Sequence, residues 1–401
     1  MAEHTPGGGE ASRRAGFLKG LGYGLLAGAV LAVAIAAVSA LLEDEPTAAE
    51  QSREIIEDKY FREVDDEIIE SGTPKEMVAE LRRRYDDRFS HYFDPEQLEE
   101  LNASTSGRFS GVGLTVSEVK RGLRVAAVLE NTPAREAGIE EGDVVVGVDG
   151  KDIAGTPAEV ASARIKGPPG TEVELRVVPV DGGKPYDVTV ERAEVRVPAV
   201  DGRIIRIDTP SGPKKVAYVI FTTFSEGAHG ELRETIERLY REGAEGLLLD
   251  LRGNGGGLLN EAVLSAGTFV EDGVVVSTST RSSGDKDFQA PGEALDPKPI
   301  VVLINRDTAS AAEILAAALQ DYGLASLVGT RTYGKNTVQE IIRLAAGGAL
   351  DLTIGEYVTS EGESLADKGV QPDAPGSDDP ETPADEGREA GLAELGALLG
   401  S

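Results

Sequence analysis

Cysteine is absent from the chain. No disulfide framework can form, and no thiol nucleophile is available. Tryptophan is absent too, and histidine occurs three times, at His4, His91 and His229. These three are far apart, and neither an H-E-x-x-H run nor a Cys/His pattern exists. A catalytic zinc site is therefore not expected, and neither is any other metal or cofactor. Positive charge is scarce: 40 Lys and Arg stand against 70 Asp and Glu, a formal charge of −30. A nucleic-acid groove needs a basic surface, so nucleic acid is not an expected partner. No serine has the G-x-S-x-G setting of an α/β-hydrolase.

What is present is ample apolar material, 40% of 401 residues, enough for two or three domains. Residues 1–19 are polar and carry Arg13, Arg14 and Lys19. Residues 20–42 contain no charge, and Glu43, Asp44 and Glu45 follow. An uncharged run of that length spans a bilayer. The basic flank predicts a cytoplasmic segment 1–19, a transmembrane anchor or signal segment 20–42, and export of the rest. Cleavage by signal peptidase near Ala40 is the alternative, giving a secreted protein. The run from Ser12 to Lys19 nearly matches a twin-arginine signal, with one residue too many between Arg14 and Phe17.

Residues 47–105 read as a helical region. Ile56, Tyr60, Val64 and Ile68 repeat every four positions, as do Met77, Leu81, Tyr85 and Phe89. Thr73-Pro74 with Glu76, and Asp94-Pro95 with Gln97, have the form of capping boxes. The aromatic residues read as core, and His91 is given no catalytic role.

Residues 107–180 alternate in the manner of strands separated by Gly-Asp and Asp-Gly turns. Gly111-Val112-Gly113-Leu114 opens this stretch, and its sequence of motifs resembles a PDZ domain. The resemblance implies that Gly111, Val112, Gly113 and Leu114 receive a peptide C-terminus, which adds as a strand to the sheet edge. Strands at 181–215 are expected to join this unit to the core. In residues 216–372 strands and helices alternate, which implies a layered α/β domain with parallel pairing. The last segment, 373–401, is acidic and contains proline, and reads as a disordered tail.

The chemistry centres on Ser310. A β-branched apolar run, 300–304, precedes it, and an Ala- and Leu-rich helix pattern, 311–319, follows. Ser310 is thus expected where a strand turns into a helix N-terminus, a place with unpaired N–H groups and a positive dipole end. A serine hydroxyl needs a base. Lys335, in Thr332-Tyr333-Gly334-Lys335, can serve if burial lowers its pKa. Gln339 follows four residues later and would orient that amine if the segment turned helically. Asp250 to Gly257 forms a glycine-rich loop after a buried strand, but it lacks the lysine and spacing of a phosphate loop.

Ser310 in Thr308-Ala309-Ser310-Ala311-Ala312-Glu313, Lys335 in Tyr333-Gly334-Lys335, and Gln339 resemble the site of the carboxy-terminal processing proteases, S41 serine peptidases with a PDZ domain. The resemblance covers roughly residues 50–372. It implies a crotonase/Clp-protease-like layered core in 181–372 with an inserted β-rich PDZ domain. It implies catalytic Ser310, Lys335 and Gln339. The oxyanion hole would take one N–H from Gly256 or Gly257 and one from Ala311. Asp250 and Arg252 are expected to pair within the scaffold. Gly255 stands where proline is frequent, Asn336 where glycine is, and Ala312 where a second serine is. The implied function is an extracytoplasmic serine endopeptidase acting on proteins or peptides with free, apolar C-termini, and a homo-oligomer is allowed. The rival readings are a non-catalytic PDZ scaffold for exported proteins and a crotonase-type acyl-CoA enzyme. The export segment and the PDZ-like insertion disfavour the latter.

Overall fold

The computed structural model describes residues 46–70, 72–378, 382 and 384–400. The expected anchor, 20–42, lies outside them. No described helix is long and apolar enough to cross a membrane.

The N-terminal region comprises α1 (Ala48–Lys59), α2 (Asp66–Ile69), α3 (Pro74–Tyr85), β1 (His91–Phe93) and α4 (Pro95–Ser106). Thr73 and Asp94 cap α3 and α4 in complete capping boxes, as their sequences predict. The periodic stripe from Ile56 to Ile68 is not one helix. Tyr60 leaves α1 in an extended conformation, and the Phe61 N–H donates to the Thr353 carbonyl of the core, 3.1 Å away. That bond to the core breaks the helical period there, yet Ile56, Tyr60 and Ile68 still share one buried cluster.

The chain then leaves the core on β2 (Arg108–Gly111) and builds β3 (Leu114–Val119), β4 (Gly122–Val128), α5 (Pro133–Glu136), β5 (Val144–Val148), β6 (Lys151–Asp152), α6 (Ala158–Ile165), β7 (Glu172–Val178) and β8 (Tyr186–Glu191). It returns on β9 (Ala193–Arg196), which pairs antiparallel with β2. The inserted sheet runs β3-β4-β5-β7-β8, with β6 on β5. The boundary expected at 180 is therefore too early. Strand β8 pairs along its length with β7, and Val190 is buried in the insert's own core.

The core follows as β10 (Val200–Thr209), β11 (Gly212–Phe221), α7 (Ala228–Arg241), β12 (Gly246–Asp250), α8 (Leu259–Ala266), β13 (Val274–Thr280), β14 (Gly284–Gln289), β15 (Ile300–Ile304), α9 (Ala311–Asp321), β16 (Ser326–Gly329), β17 (Thr337–Arg343), β18 (Ala349–Thr359), β19 (Ala374–Pro375) and α10 (Glu386–Gly400). One sheet has the order β10-β11-β12-β15-β16-β19, parallel from β11 onward. A second, antiparallel sheet has the order β1-β18-β13-β14, with β17 also on β18.

The parallel strands are apolar throughout because both faces are covered. Val219, Leu247, Leu249 and Val302 pack on the side of α7, α8 and α9. Tyr218, Leu248, Val301 and Leu303 face the other way, where Leu395 of α10 covers them. For residues 386–400 the expectation of a disordered tail is thus corrected. Proline and acid between 377 and 385 dominate the composition, but Ala390, Leu392, Leu395 and Leu399 supply an apolar stripe for the open sheet face.

Candidate active site

Strand β15 ends at Ile304, and the turn that follows brings Ser310 to the N-cap of α9. Its backbone has φ 56° and ψ −119°, a left-handed conformation that a residue with a Cβ adopts only under strain. The strain is held by bonds on both sides. The Ala309 N–H donates to the Asn254 carbonyl (3.0 Å), the Thr308 hydroxyl to the Leu251 carbonyl (2.9 Å), and the Ser310 N–H to Glu313 Oε2 (2.8 Å).

The glycine-rich loop from Asp250 to Gly257 lies against this turn. Gly256 has φ 99°, and a Cβ there would sit 2.8 Å from the Ser310 Cβ. Only glycine lets the two backbones approach so closely. The two candidate donors in the loop are not equivalent. The Gly256 N–H donates to Asn254 Oδ1 at 2.8 Å, and Asn254 is fully buried. Gly257 forms an isolated bridge with Phe224 through the Gly256 carbonyl and the Leu258 N–H. Its own N–H has no protein partner among the described residues, and the same holds for the Ala311 N–H. Free donors beside the Ser310 turn are what an oxyanion requires, so the geometry favours Gly257 and Ala311 over Gly256.

Asp250 and Arg252 pair as expected, with Arg252 Nη2 2.7 Å from Asp250 Oδ2. Arg252 also reaches Asp385 and Asp378 beyond β19. Burial pushes the Tyr218 hydroxyl, bonded to Asp250, up to about 12.

Lys335 lies just before β17. Its N–H donates to Glu313 Oε2 (3.0 Å), and its carbonyl accepts from the Tyr357 hydroxyl. Its ammonium lies 4.8 Å from the centre of the Phe89 ring. No hydrogen bond or ion pair of Nζ occurs among the described residues, and none links it to Ser310. Burial pushes its pKa down, opposed by the charges of Asp351, Glu313 and Asp87. Beside it opens a cavity of about 480 Å³ lined by Phe61, Arg88, Phe89, Tyr333, Asn336 and Glu356.

Gln339 departs from the expected helical turn. It lies in β17, a β-branched run that pairs with β18. Strand pairing overrides the local four-residue spacing, and the Gln339 amide donates to Thr337 (2.9 Å) and Thr353 (3.3 Å), not to Lys335.

Two residues of the site escaped the sequence reading. Glu313 is fully buried and accepts from Ser310, Thr332, Gly334 and Lys335, so one carboxylate ties the serine turn to the lysine segment. The signal was there: Ser310 and Glu313 have the S-x-x-E spacing of a capping box. Asn254 tethers the glycine loop to Phe221 and to the serine turn, and nothing in the sequence distinguishes it.

In the insert, Gly111 pairs with Ala193 in the β2–β9 ladder. Val112 is 1% exposed and belongs to the insert's core, so it does not line an open pocket. The Gly113 carbonyl accepts from the Leu129 N–H, and Leu114 begins β3. Strand β3 is an edge of its sheet, with α6 packed beside it, an arrangement to which a peptide can add as a further strand.

The carboxyl-terminal-processing protease of Synechocystis sp. is 34% identical over 301 residues, 75% of this chain and 69% of that protein. The chain belongs to peptidase family S41. Residues 215–375 match Peptidase family S41 and residues 124–179 match a PDZ domain. The carboxyl-terminal-processing protease of Picosynechococcus sp. is 36% identical over 302 residues, 74% of this chain and 72% of that protein. Among solved structures, the photosystem II D1 C-terminal processing protease superposes with a TM-score of 0.53 at 26% identity, covering 90% of this chain and 98% of that one. This S41 member is a serine-type peptidase of mixed α/β fold with an inserted PDZ domain, and its substrates are peptides or proteins.

Proposed function

We propose that this S41 peptidase is an extracytoplasmic endopeptidase that cleaves proteins presented by their C-termini, with Ser310 as nucleophile and Lys335 as base. The observation that carries the reading is the junction itself. A strained serine at a helix N-terminus lies against a glycine loop, Gly257 and Ala311 keep N–H groups without a partner among the described residues, and one buried glutamate binds the backbone of both serine and lysine. In the proposed reaction Ser310 Oγ attacks the scissile carbonyl and Lys335 takes its proton. The Gly257 and Ala311 N–H groups hold the oxyanion, the leaving amine takes the proton, and water then hydrolyses the acyl-enzyme. Lys335 must first turn from Phe89 toward Ser310, which its long, unpaired side chain allows. Gln339 supports the base indirectly, through Thr353 and the β17–β18 ladder. The uncharged run at 20–42 behind a basic flank supports membrane anchoring with the catalytic part outside the cytoplasm.

A fluorophosphonate tests the nucleophile. It should form a single adduct, placed on Ser310 by peptide mass spectrometry and lost in Lys335→Ala. Labelling elsewhere with Ser310 unmodified would sink the assignment.

Recognition of the C-terminus has a separate test in the full-chain Ser310→Ala protein. A carboxylate received by backbone N–H groups gains roughly 1.5–3 kcal/mol per bond. A peptide ending in an apolar residue should therefore bind tenfold or more tightly than its C-terminal amide, at about 1.4 kcal/mol per decade. Equal affinities by calorimetry would mean that the PDZ domain does not read the terminus.

A further inference from the structure

Strand β18 also carries Asp351, which the proposed mechanism does not use. Asp351 and Thr353, two residues apart, point the same way. Thr353 lies opposite Gln339 on β17, and its hydroxyl donates to Asp87 Oδ1 at 3.1 Å. Asp351 lies opposite His91 on β1, and paired residues in a ladder share a face. His91 Nδ1 is 2.7 Å from the Phe89 carbonyl, and the Phe89 ring is the surface on which the Lys335 ammonium rests. Asp351, Glu313 and Asp87 thus act on the Lys335 ammonium through space, and His91 acts on Asp351.

We propose that Asp351 is a positioning residue for the base: acting through space, its carboxylate favours the Lys335 ammonium in the seat on Phe89 and sets the pH at which the neutral amine becomes available to Ser310. The inference rests on the Ser310–Lys335 reading and adds a regulator to it. The side chain is half-buried and its ammonium makes no ion pair among the described residues, so its charge depends on carboxylates acting through space. Among the causes opposing its neutralisation, the charge of Asp351 is the largest. Asp351 in turn is pushed up to about 6 by burial, against the pull of Lys335 and His91. Each group therefore titrates in the field of the other. A carboxylate near an ammonium favours the protonated amine. Removing it lowers the pKa of Lys335, and the acid limb of kcat/KM moves to lower pH.

The test is the pH profile of peptide cleavage in wild type, Asp351→Asn, Asp351→Thr and Asp351→Glu. The two neutral variants should move the acid limb down by about one pH unit, a tenfold gain in cleavage on its lower part. Asp351→Glu should leave the limb near its wild-type position. A folded Asn or Thr variant with an unmoved limb overturns the proposal, because a purely structural residue changes the height of the profile and not its position. The wild-type protein gives a reading that needs no variant. Acylation of Lys335 by an amine-selective reagent, followed against pH by peptide mass spectrometry, should require two proton steps, and a single-step curve overturns the coupling. Cleavage that survives Lys335→Ala would instead refute the Ser–Lys reading, while the acylation curve still reports on Asp351.

Discussion

Ser310→Ala and Lys335→Ala should each reduce peptide cleavage by about 10⁴-fold or more, the scale seen when a serine hydrolase loses its nucleophile or base. That corresponds to roughly 5.5 kcal/mol of transition-state stabilisation. Neither change should unfold the protein. Alanine has the same Cβ as serine, so Ser310→Ala leaves the strain at φ 56° unaltered and keeps the N–H that Glu313 receives. Lys335→Ala removes a desolvated side chain whose ammonium has no ion pair. Desolvating its charge is costly, and the nearby carboxylates offset part of that cost, so the variant should be about as stable as wild type. A folded Lys335→Ala protein with wild-type turnover would eliminate the proposed base. A marked loss of stability in it would show that the lysine is structural.

The second large effect belongs to Glu313. Oε1 accepts from the Thr332 hydroxyl and the Gly334 N–H, and Oε2 from the Ser310 and Lys335 N–H groups. Both oxygens are acceptors only, so glutamine, though nearly isosteric, must turn an NH₂ toward one pair of donors. Glu313→Gln should therefore cost about 3–5 kcal/mol, the range for breaking a buried charged partnership. It should also lower kcat by about 10²-fold or more, since small misplacements of reacting groups have that effect. Glu313→Ala strands all four donors and should be worse. Urea titration measures the first quantity and initial rates the second. Glu313→Gln with an unchanged kcat would reduce the carboxylate to a helix cap.

Part of this protein is legible without coordinates. The apolar runs at 246–250 and 300–304 announce strands buried on both faces, and the pattern around Ser310 places it at a helix N-terminus. Proline at 74 and 95 with Glu76 and Gln97 marks two helix starts, because a capping box is a local device whose partners are three residues apart. The glycines at 256 and 257 mark a loop in which backbones must approach closely. These readings rest on interactions within a few residues, which the chain carries wherever it goes.

Tertiary structure decided the rest. Gln339 has helical spacing from Lys335, but β18 offers a ladder that a β-branched segment accepts more readily. The 373–401 segment has the composition of a disordered tail, yet the second face of the parallel sheet is apolar and α10 covers it. Asn254, rather than the count of glycines, determines which loop N–H is free, because its buried side chain takes the one from Gly256. Lys335 is a charged residue that any composition rule would leave in water. Its ammonium rests on the ring of Phe89, a residue far earlier in the chain, and the desolvation that lowers its pKa exists only once those two segments have met.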